Sequence, residues 1–465
     1  MMQLKKLDKY AEFVGEDCVQ QIYKMGAKLA EKSMVHVNST YYGGGVAEML
    51  TSYIPLLNEA GLKTEWRLLR GDRDFFMVTK KMHNSLQGMK VELTSEDITT
   101  YEATISQNSS FMNLEWYDMV VIDDPQPCGM VAHYRRESPS LYKPLPLLLS
   151  LAELQKKQPW VWRCHLDLTS PNRKTWRYLK KYLNDYEAIV VSARKYKTSL
   201  RKPHYFMAPA IDPLSEKNRR LSSWEVAREL SRNGIDSQKP MILQVSRFDP
   251  WKDPLGVIRA YRKVKKEIDC QLVLMGGMAA DDPEGDAIFR NAYSEAEKDK
   301  DISLLTVQSD RLVNALQRRA DVVVQKSLRE GFGLTVTEAM WKGKPVVASR
   351  VGGIPLQIEN RVNGLLCNGI DDCATKISYL LKHKREAEAI GKNATEKVRK
   401  DFLVTRLVRD ELELFQAITR GFITKSLKSS EQMLLSMLLK LGDLPPLKKT
   451  VPFLKRVHEW PGRIY

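Results

Sequence analysis

Eight short apolar runs rich in β-branched residues recur along the chain, at 34–38, 119–123, 161–167, 188–192, 241–247, 271–276, 321–327 and 345–349, with longer helical stretches between them. Their hydrophobicity is continuous rather than alternating, the mark of strands buried on both faces in parallel sheets covered by helices. The expected class is therefore α/β, doubly wound. The rhythm breaks at 209–240, where Pro-Ala-Ile-Asp-Pro leads into a polar helix and then Asn-Gly-Ile-Asp-Ser-Gln-Lys-Pro, and it restarts afterwards. That is the punctuation of a linker, and 465 residues exceed what a single core usually serves. The reading is two units, 1–232 and 233–420, facing across a cleft, with a tail at 421–465. In open α/β sheets ligands bind beyond the carboxyl ends of the strands, so the residues just after each run carry the functional information.

After the first run comes Asn38-Ser39-Thr40-Tyr41-Tyr42-Gly43-Gly44-Gly45-Val46-Ala47-Glu48, leading into a helix. Glycines at a helix start let backbone N–H groups approach an anionic ligand closely, and they also occur in plain tight turns. After the run at 241–247 comes Ser246-Arg247-Phe248-Asp249-Pro250-Trp251-Lys252. Arg247 offers a planar fork for phosphate oxygens and Lys252 a mobile point charge, together suited to a diphosphate; the bland alternative is a solvated pair of cations.

The most specific segment is Arg329-Glu330-Gly331-Phe332-Gly333-Leu334-Thr335-Val336-Thr337-Glu338. The two glycines permit a sharp turn whose N–H groups open the next helix, so the amides of Phe332, Gly333 and Leu334 can hold anionic or hydroxyl-rich groups. Glu330, on the loop, can accept from sugar hydroxyls, and Glu338, about one turn into the helix, can grip a vicinal diol such as a ribose. Alone, Glu338 would read as a favourable dipole partner near a helix start.

Composition narrows the class. Charged residues make up 28% and hydrophobic residues 43%, the balance of a folded globular chain. The formal charge of +16 is spread through helical runs rather than gathered into one basic stripe, which fits a cleft for anionic small molecules better than a nucleic-acid surface. No nucleic-acid partner is expected. No run approaches the ~20 apolar residues of a membrane span, and residues 1–10 hold three lysines and no apolar stretch; the expected location is the cytoplasm. Six scattered cysteines without Cys-x-x-Cys spacing suggest neither zinc nor disulfides.

The glycine-framed Glu-x7-Glu segment matches the signature of family-4 retaining glycosyltransferases. Together with His36-Val37-Asn38-Ser39-Thr40, the Gly43–Glu48 stretch, Trp162-Arg163-Cys164-His165-Leu166-Asp167, Ser170-Pro171-Asn172, 244–252, Asp282-Pro283-Glu284-Gly285 and 329–345, it resembles the trehalose glycosyltransferring synthases over most of residues 30–420. The resemblance implies a GT-B fold, two Rossmann-like domains across a cleft, with the acceptor on the N-terminal side and a nucleoside diphosphate glucose on the C-terminal side. It also implies a reversible, retaining transfer of glucose to free glucose that makes α,α-trehalose from a uridine, adenosine or guanosine diphosphate donor.

By the same resemblance, Arg247 and Lys252 neutralise the diphosphate without protein-held metal, so that no tightly bound cofactor is needed and any Mg²⁺ arrives with the substrate. Glu330 and the following amides hold the glucose, Glu338 the ribose, Gly44 and Gly45 approach the phosphates, and His165, Arg163 and Asp167 lie by the sugars. One departure is Asp123-Asp124-Pro125-Gln126-Pro127, where the family often reads His-Asp-Pro-Gln-Pro. Competing readings are a retaining trehalose phosphorylase, a nucleotide-sugar 2-epimerase and a non-catalytic sugar-nucleotide-binding protein. The tail, with Met433–Leu439 amphipathic and eight Lys and Arg against three Asp and Glu, reads as a helix packed on the enzyme body or on a second copy in a homodimer, with weak membrane-surface association as the alternative.

Overall fold

The computed structural model describes residues 7–41, 44–136, 158–277 and 285–421. Among the described residues, twelve strands form two parallel six-stranded sheets. The first contains β1 (Ser33–Asn38), β2 (Lys63–Leu68), β3 (Met119–Asp123), β4 (Trp160–Cys164), β5 (Ala188–Val191) and β6 (His204–Phe206), in the order β2-β1-β3-β4-β5-β6. The second contains β7 (Met241–Val245), β8 (Gln271–Met275), β9 (Ile302–Leu305), β10 (Val322–Gln325), β11 (Val346–Ser349) and β12 (Leu365–Cys367), in the order β12-β11-β10-β7-β8-β9. Helices cover both faces of each sheet, giving each two hydrophobic cores.

All eight expected runs are strands, and the four that the apolar pattern does not reveal (β2, β6, β9 and β12) are the four sheet edges. The reason is physical. Strands β3, β4, β5, β7, β8, β10 and β11 are buried at every position, whereas β2 is buried at one residue, β9 at one, and β6 and β12 have only three residues each. An edge strand has less to bury, so it lacks the continuous apolar signature.

In each sheet the first strand lies inside, and the chain builds outwards in one direction before returning to its other side. The order therefore reverses between β1 and β3 and between β7 and β10, which are the topological switch points where a ligand crevice opens. The segments that follow these four strands are 39–45, 124–127, 246–253 and 326–333.

Packing moves both sequence-drawn boundaries. The helix Ser223–Arg232, read as the end of the first unit, belongs to the second: Leu230 joins the second sheet's core, and Arg311 Nη2 donates to Glu225 at 3.0 Å. Helix 404–421, read as part of the second unit, returns to the first, where Val404, Leu407, Val408, Leu412 and Phe415 pack with Met34, Val121 and Val190. The return is hinged at a bridge between Ile211 and Leu403. A linear chain reading has no access to such a crossing, because its partners are far apart in sequence. The amphipathic tail segment 433–439, Tyr42, Gly43 and Asp282–Glu284 lie outside the described residues. All six cysteines are free thiols, five of them buried.

Candidate active site

The four switch-point segments line one cavity of about 1010 Å³ between the sheets. Two helices begin there. Helix Gly45–Ala60 starts at Gly44 in extended geometry, and helix Leu334–Trp341 starts at Gly333, whose φ of +89° places it in the left-handed region that favours glycine. The two starts nearly touch, since a Cβ built on Gly45 would stand 3.0 Å from Leu334 Cδ1. Each presents first-turn N–H groups without intrahelical partners and the positive end of its dipole to the same space.

The 330–333 loop is wedged between the units. A Cβ on Gly331 would fall 2.0 Å from the His165 carbonyl oxygen, a backbone atom that cannot yield, so this approach requires glycine. The buried Tyr196 hydroxyl donates to the carbonyls of Glu330 and Gly331 at 3.0 and 2.9 Å, and Lys195 donates to the Gly352 carbonyl. Phe332 turns its ring into the core against Phe402, and its carbonyl accepts from Gln357 at 2.6 Å, so it presents backbone to the cleft.

Charged groups dominate the floor. Lys252 Nζ donates to Glu330 Oε2 at 2.6 Å, and the same oxygen accepts from Ser327 Oγ at 3.0 Å. Arg247 Nη2 lies 3.9 Å from Asp249 Oδ2, which also accepts from Lys80 Nζ at 3.1 Å across the cleft. Burial alone would raise the Asp249 carboxyl, but Lys80, Arg247 and Lys252 hold it down at about 2. Glu338 is buried; its Oε2 accepts from Gln317 Nε2 at 3.2 Å and its Oε1 lies 4.0 Å from Lys217 Nζ. Lys217 donates to Glu48 at 2.5 Å, and burial, resisted by Lys217 and reinforced by Glu338, raises Glu48 to about 6.

His165 lines the cavity, with its Nε2 at 3.1 Å from Asp123 Oδ1 and its backbone N–H donating to Asp124 Oδ1 at 2.8 Å. The unusual Asp123 is fully buried. Its Oδ2 accepts from His36 Nδ1 at 2.8 Å; His36 Nε2 accepts from the Tyr53 hydroxyl at 3.0 Å, and Arg163 Nη1 donates to that hydroxyl at 2.9 Å. Burial would raise Asp123, but His36, His165 and Arg163 hold it well below the usual carboxylate range.

The cavity is lined by Arg247, Lys252, Glu330, His165, Gly44, Gly45, Phe332, Gly333, Leu334 and Glu338. Two residues expected beside the sugars are elsewhere. Arg163 is buried beneath the sheet in an ion pair with Glu411 of helix 404–421. Asp167 is buried as a turn cap, accepting from the Thr169 N–H and hydroxyl at 3.0 and 2.6 Å, with Arg329 Nη1 at 3.6 Å. Conversely, Lys80, His83, Asp249, Lys217 and Glu48 line the cavity without having been singled out from sequence. The available signal was the spacing of Lys80 and His83, one turn apart on helix Arg73–Leu86.

Burial together with Lys80, Arg247 and Lys252, against the pull of Asp249, depresses the His83 imidazole to about 3. Above its ordinary value of 6.5 it is neutral folded and unfolded; between 6.5 and about 3 only the unfolded chain takes the proton. Stability is therefore expected to fall as pH drops through that window. Chemical-denaturation midpoints at pH 7, 5.5 and 4.5, across roughly the upper half of it, should decline less steeply in His83→Gln than in the parent; equal slopes would show that His83 is not depressed.

Two family models match the chain: "Trehalose synthase, N-terminal domain" over residues 36–144 and 141–198, and "Glycosyl transferases group 1" over 226–397. A trehalose synthase of Pyrococcus horikoshii is 42% identical over 422 residues, covering 89% of this chain and 97% of its own. More distant is a trehalose phosphorylase of Grifola frondosa, 29% identical over 79% of this chain and 54% of its own. Among solved structures, a sucrose-phosphate synthase from Thermosynechococcus elongatus aligns with TM-score 0.65 at 16% identity, covering 84% of this chain and all of its own. An α,α-trehalose 6-phosphate synthase from Burkholderia multivorans aligns with TM-score 0.64 at 14% identity, over 85% and 99%. The architecture is that of GT-B glycosyltransferases. Among the described residues, no helix is long and apolar enough to cross a membrane.

Proposed function

This chain belongs to the trehalose synthase family of glycosyltransferases, and we propose that it transfers glucose from a nucleoside diphosphate glucose to the anomeric hydroxyl of free glucose, with retention, to form α,α-trehalose. The observation that carries this reading is the convergence on one cavity of Arg247, Lys252 and two helix N-termini. Such a floor suits a diphosphate that gains charge as it departs. Glu330, poised by Lys252 and Ser327, is suited to accept from the hydroxyls of the donor glucose, and the buried Glu338 to accept from the ribose. His165, on the opposite wall and oriented by Asp123, faces the sugars.

In this mechanism the bond from the donor's anomeric carbon to the phosphate oxygen breaks, with its electron pair leaving on that oxygen. The acceptor's hydroxyl oxygen attacks from the same face, and its proton passes to the departing phosphate. No carboxylate nucleophile of the glycosidase kind is required. Positioning between two closing domains and electrostatic stabilisation of the leaving group supply the acceleration.

The test is to incubate purified protein with glucose and, separately, uridine, adenosine and guanosine diphosphate glucose, following nucleotide release and resolving sugars by chromatography. Trehalose is expected with at least one donor. Nucleotide release without trehalose would overturn the acceptor assignment. The likeness to a trehalose phosphorylase supports a second reading, in which inorganic phosphate cleaves trehalose; phosphate-dependent breakdown with no nucleotide requirement would establish it in place of the first.

A further inference from the structure

We infer that Lys80 is a third cation of the donor-diphosphate clamp, contributed by the first unit and held by Asp249 until a phosphate oxygen takes its place. This rests on the nucleotide-sugar reading above and adds a residue from the opposite wall. The side chains of Lys80 and Asp249 are 6% and 3% exposed and meet at 3.1 Å. Asp249 divides its two oxygens: Oδ1 accepts from the Trp251 N–H at 2.8 Å and caps the short turn Pro250–Lys252, while Oδ2 holds Lys80 and lies 3.9 Å from Arg247. Two cations thus share one carboxylate oxygen, and Lys252 completes the group by pairing with Glu330. All five side chains line one cavity.

Three cations, Lys80, Arg247 and Lys252, meet Asp249 and Glu330 in this cavity, and burial together with these cations depresses the imidazole of His83, one turn beyond Lys80. The helix that carries Lys80 is fixed independently, because Trp251 Nε1 donates to Asn84 Oδ1 at 3.0 Å. Lys80 can therefore exchange Asp249 for a phosphate oxygen by side-chain rotation alone, with the helix still docked. The charge count fits the chemistry. A bound sugar nucleotide carries two formal negative charges on its diphosphate, which Arg247 and Lys252 match. As the bond to the anomeric carbon breaks and its electron pair moves onto phosphate, a third charge develops until the acceptor's proton arrives. Lys80 meets that third charge, so it acts on turnover and on nucleoside diphosphate affinity more than on donor KM.

The test uses full-length wild type, Lys80→Met and Lys80→Arg. Turnover and donor KM are measured with glucose present, and calorimetric Kd values are measured for uridine, adenosine and guanosine diphosphate and for the matching uncharged nucleosides. Lys80→Met is expected to lower kcat by about 10²-fold and to weaken nucleoside diphosphate binding at least about tenfold, with nucleoside binding unchanged and Lys80→Arg recovering part of both losses. A role confined to docking the two units would weaken nucleoside binding in parallel. That parallel loss, or turnover and diphosphate affinity within about threefold of wild type, overturns the inference. If Lys80→Met fails to fold, the pair Lys80→Met/Asp249→Asn removes both buried charges and is read in the same way. Should wild type turn over no nucleoside diphosphate glucose, the donor reading falls on its own, and the diphosphate and nucleoside affinities still decide for or against Lys80.

Discussion

Replacing Arg247 by alanine is expected to lower transferase turnover by about 10²–10³-fold while leaving the unfolding midpoint nearly unchanged. The two effects separate because of where the guanidinium sits. Its side chain is 32% exposed at the cleft floor, 3.9 Å from an Asp249 that Lys80 also neutralises at 3.1 Å, so its removal leaves Asp249 still paired with Lys80. Substitutions at such positions typically change stability by less than about 0.5 kcal/mol. Turnover responds strongly because charge developing on the departing diphosphate is met by groups fixed in advance, and a lost donor cannot be replaced by water at comparable strength. Arg247→Lys should fall between wild type and alanine, since an ammonium keeps the charge but not the planar two-pronged geometry. Steady-state kinetics with glucose and the preferred donor, alongside thermal melts, check both halves. Turnover of Arg247→Ala within about tenfold of wild type would remove Arg247 from the clamp.

The central strands and the cleft loops could be read from sequence because their signals are local. A fully buried strand announces itself by uninterrupted apolar residues, and a ligand loop by glycines and charges just past its end. Sheet edges, domain crossings and side-chain direction are not local. Arg163 illustrates the last. It sits in β4 between Trp162 and Cys164, just before His165 at the cleft, and the family resemblance implied contact with sugar. Strand alternation decides otherwise: Trp162 and Cys164 face one core, while Val161 and Arg163 share the opposite face, the one covered by helix 404–421. His36 and Asp123 lie in the same layer, two residues beyond Met34 and Val121, which belong to that core. The three form a polar seam across β1, β3 and β4, and no local feature of the chain reveals that its counter-charge comes from Glu411. The same distance hid Lys80, whose helix reads as an ordinary amphipathic surface until the second unit brings Asp249 to it.

The seam gives the largest expected stability effect. Arg163 and Glu411 are 3% and 0% exposed, and Arg163 Nη2 donates to Glu411 Oε2. The fit is incomplete, since Arg163 Nε and Glu411 Oε1 are buried without hydrogen-bond partners. Glu411→Ala would leave the guanidinium beneath the sheet facing a cavity, with the Tyr53 hydroxyl and the Met207 sulfur as its remaining neighbours. Removing one partner of a buried pair typically costs about 3–5 kcal/mol, a large share of the roughly 5–15 kcal/mol by which domains are held folded. Arg163→Met should be nearly as harmful, because it strands a carboxylate that His36 Nε2 only approaches, at 3.7 Å. The double variant Arg163→Met/Glu411→Leu removes both charges and fills the space with apolar volume, so it should recover most of the loss. Denaturant unfolding of the two single variants and the double measures the coupling directly. A cost below about 1 kcal/mol for Glu411→Ala, or a double variant no more stable than the singles, would show that the pair is not what ties helix 404–421 to the first sheet. Kinetics on the double variant then bear on the sugar-contact expectation. If Arg163 acts only through this seam, a refolded enzyme without it keeps the glucose KM of wild type within a few-fold, because His165 still has Asp123 and Asp124 to hold it at the cleft wall.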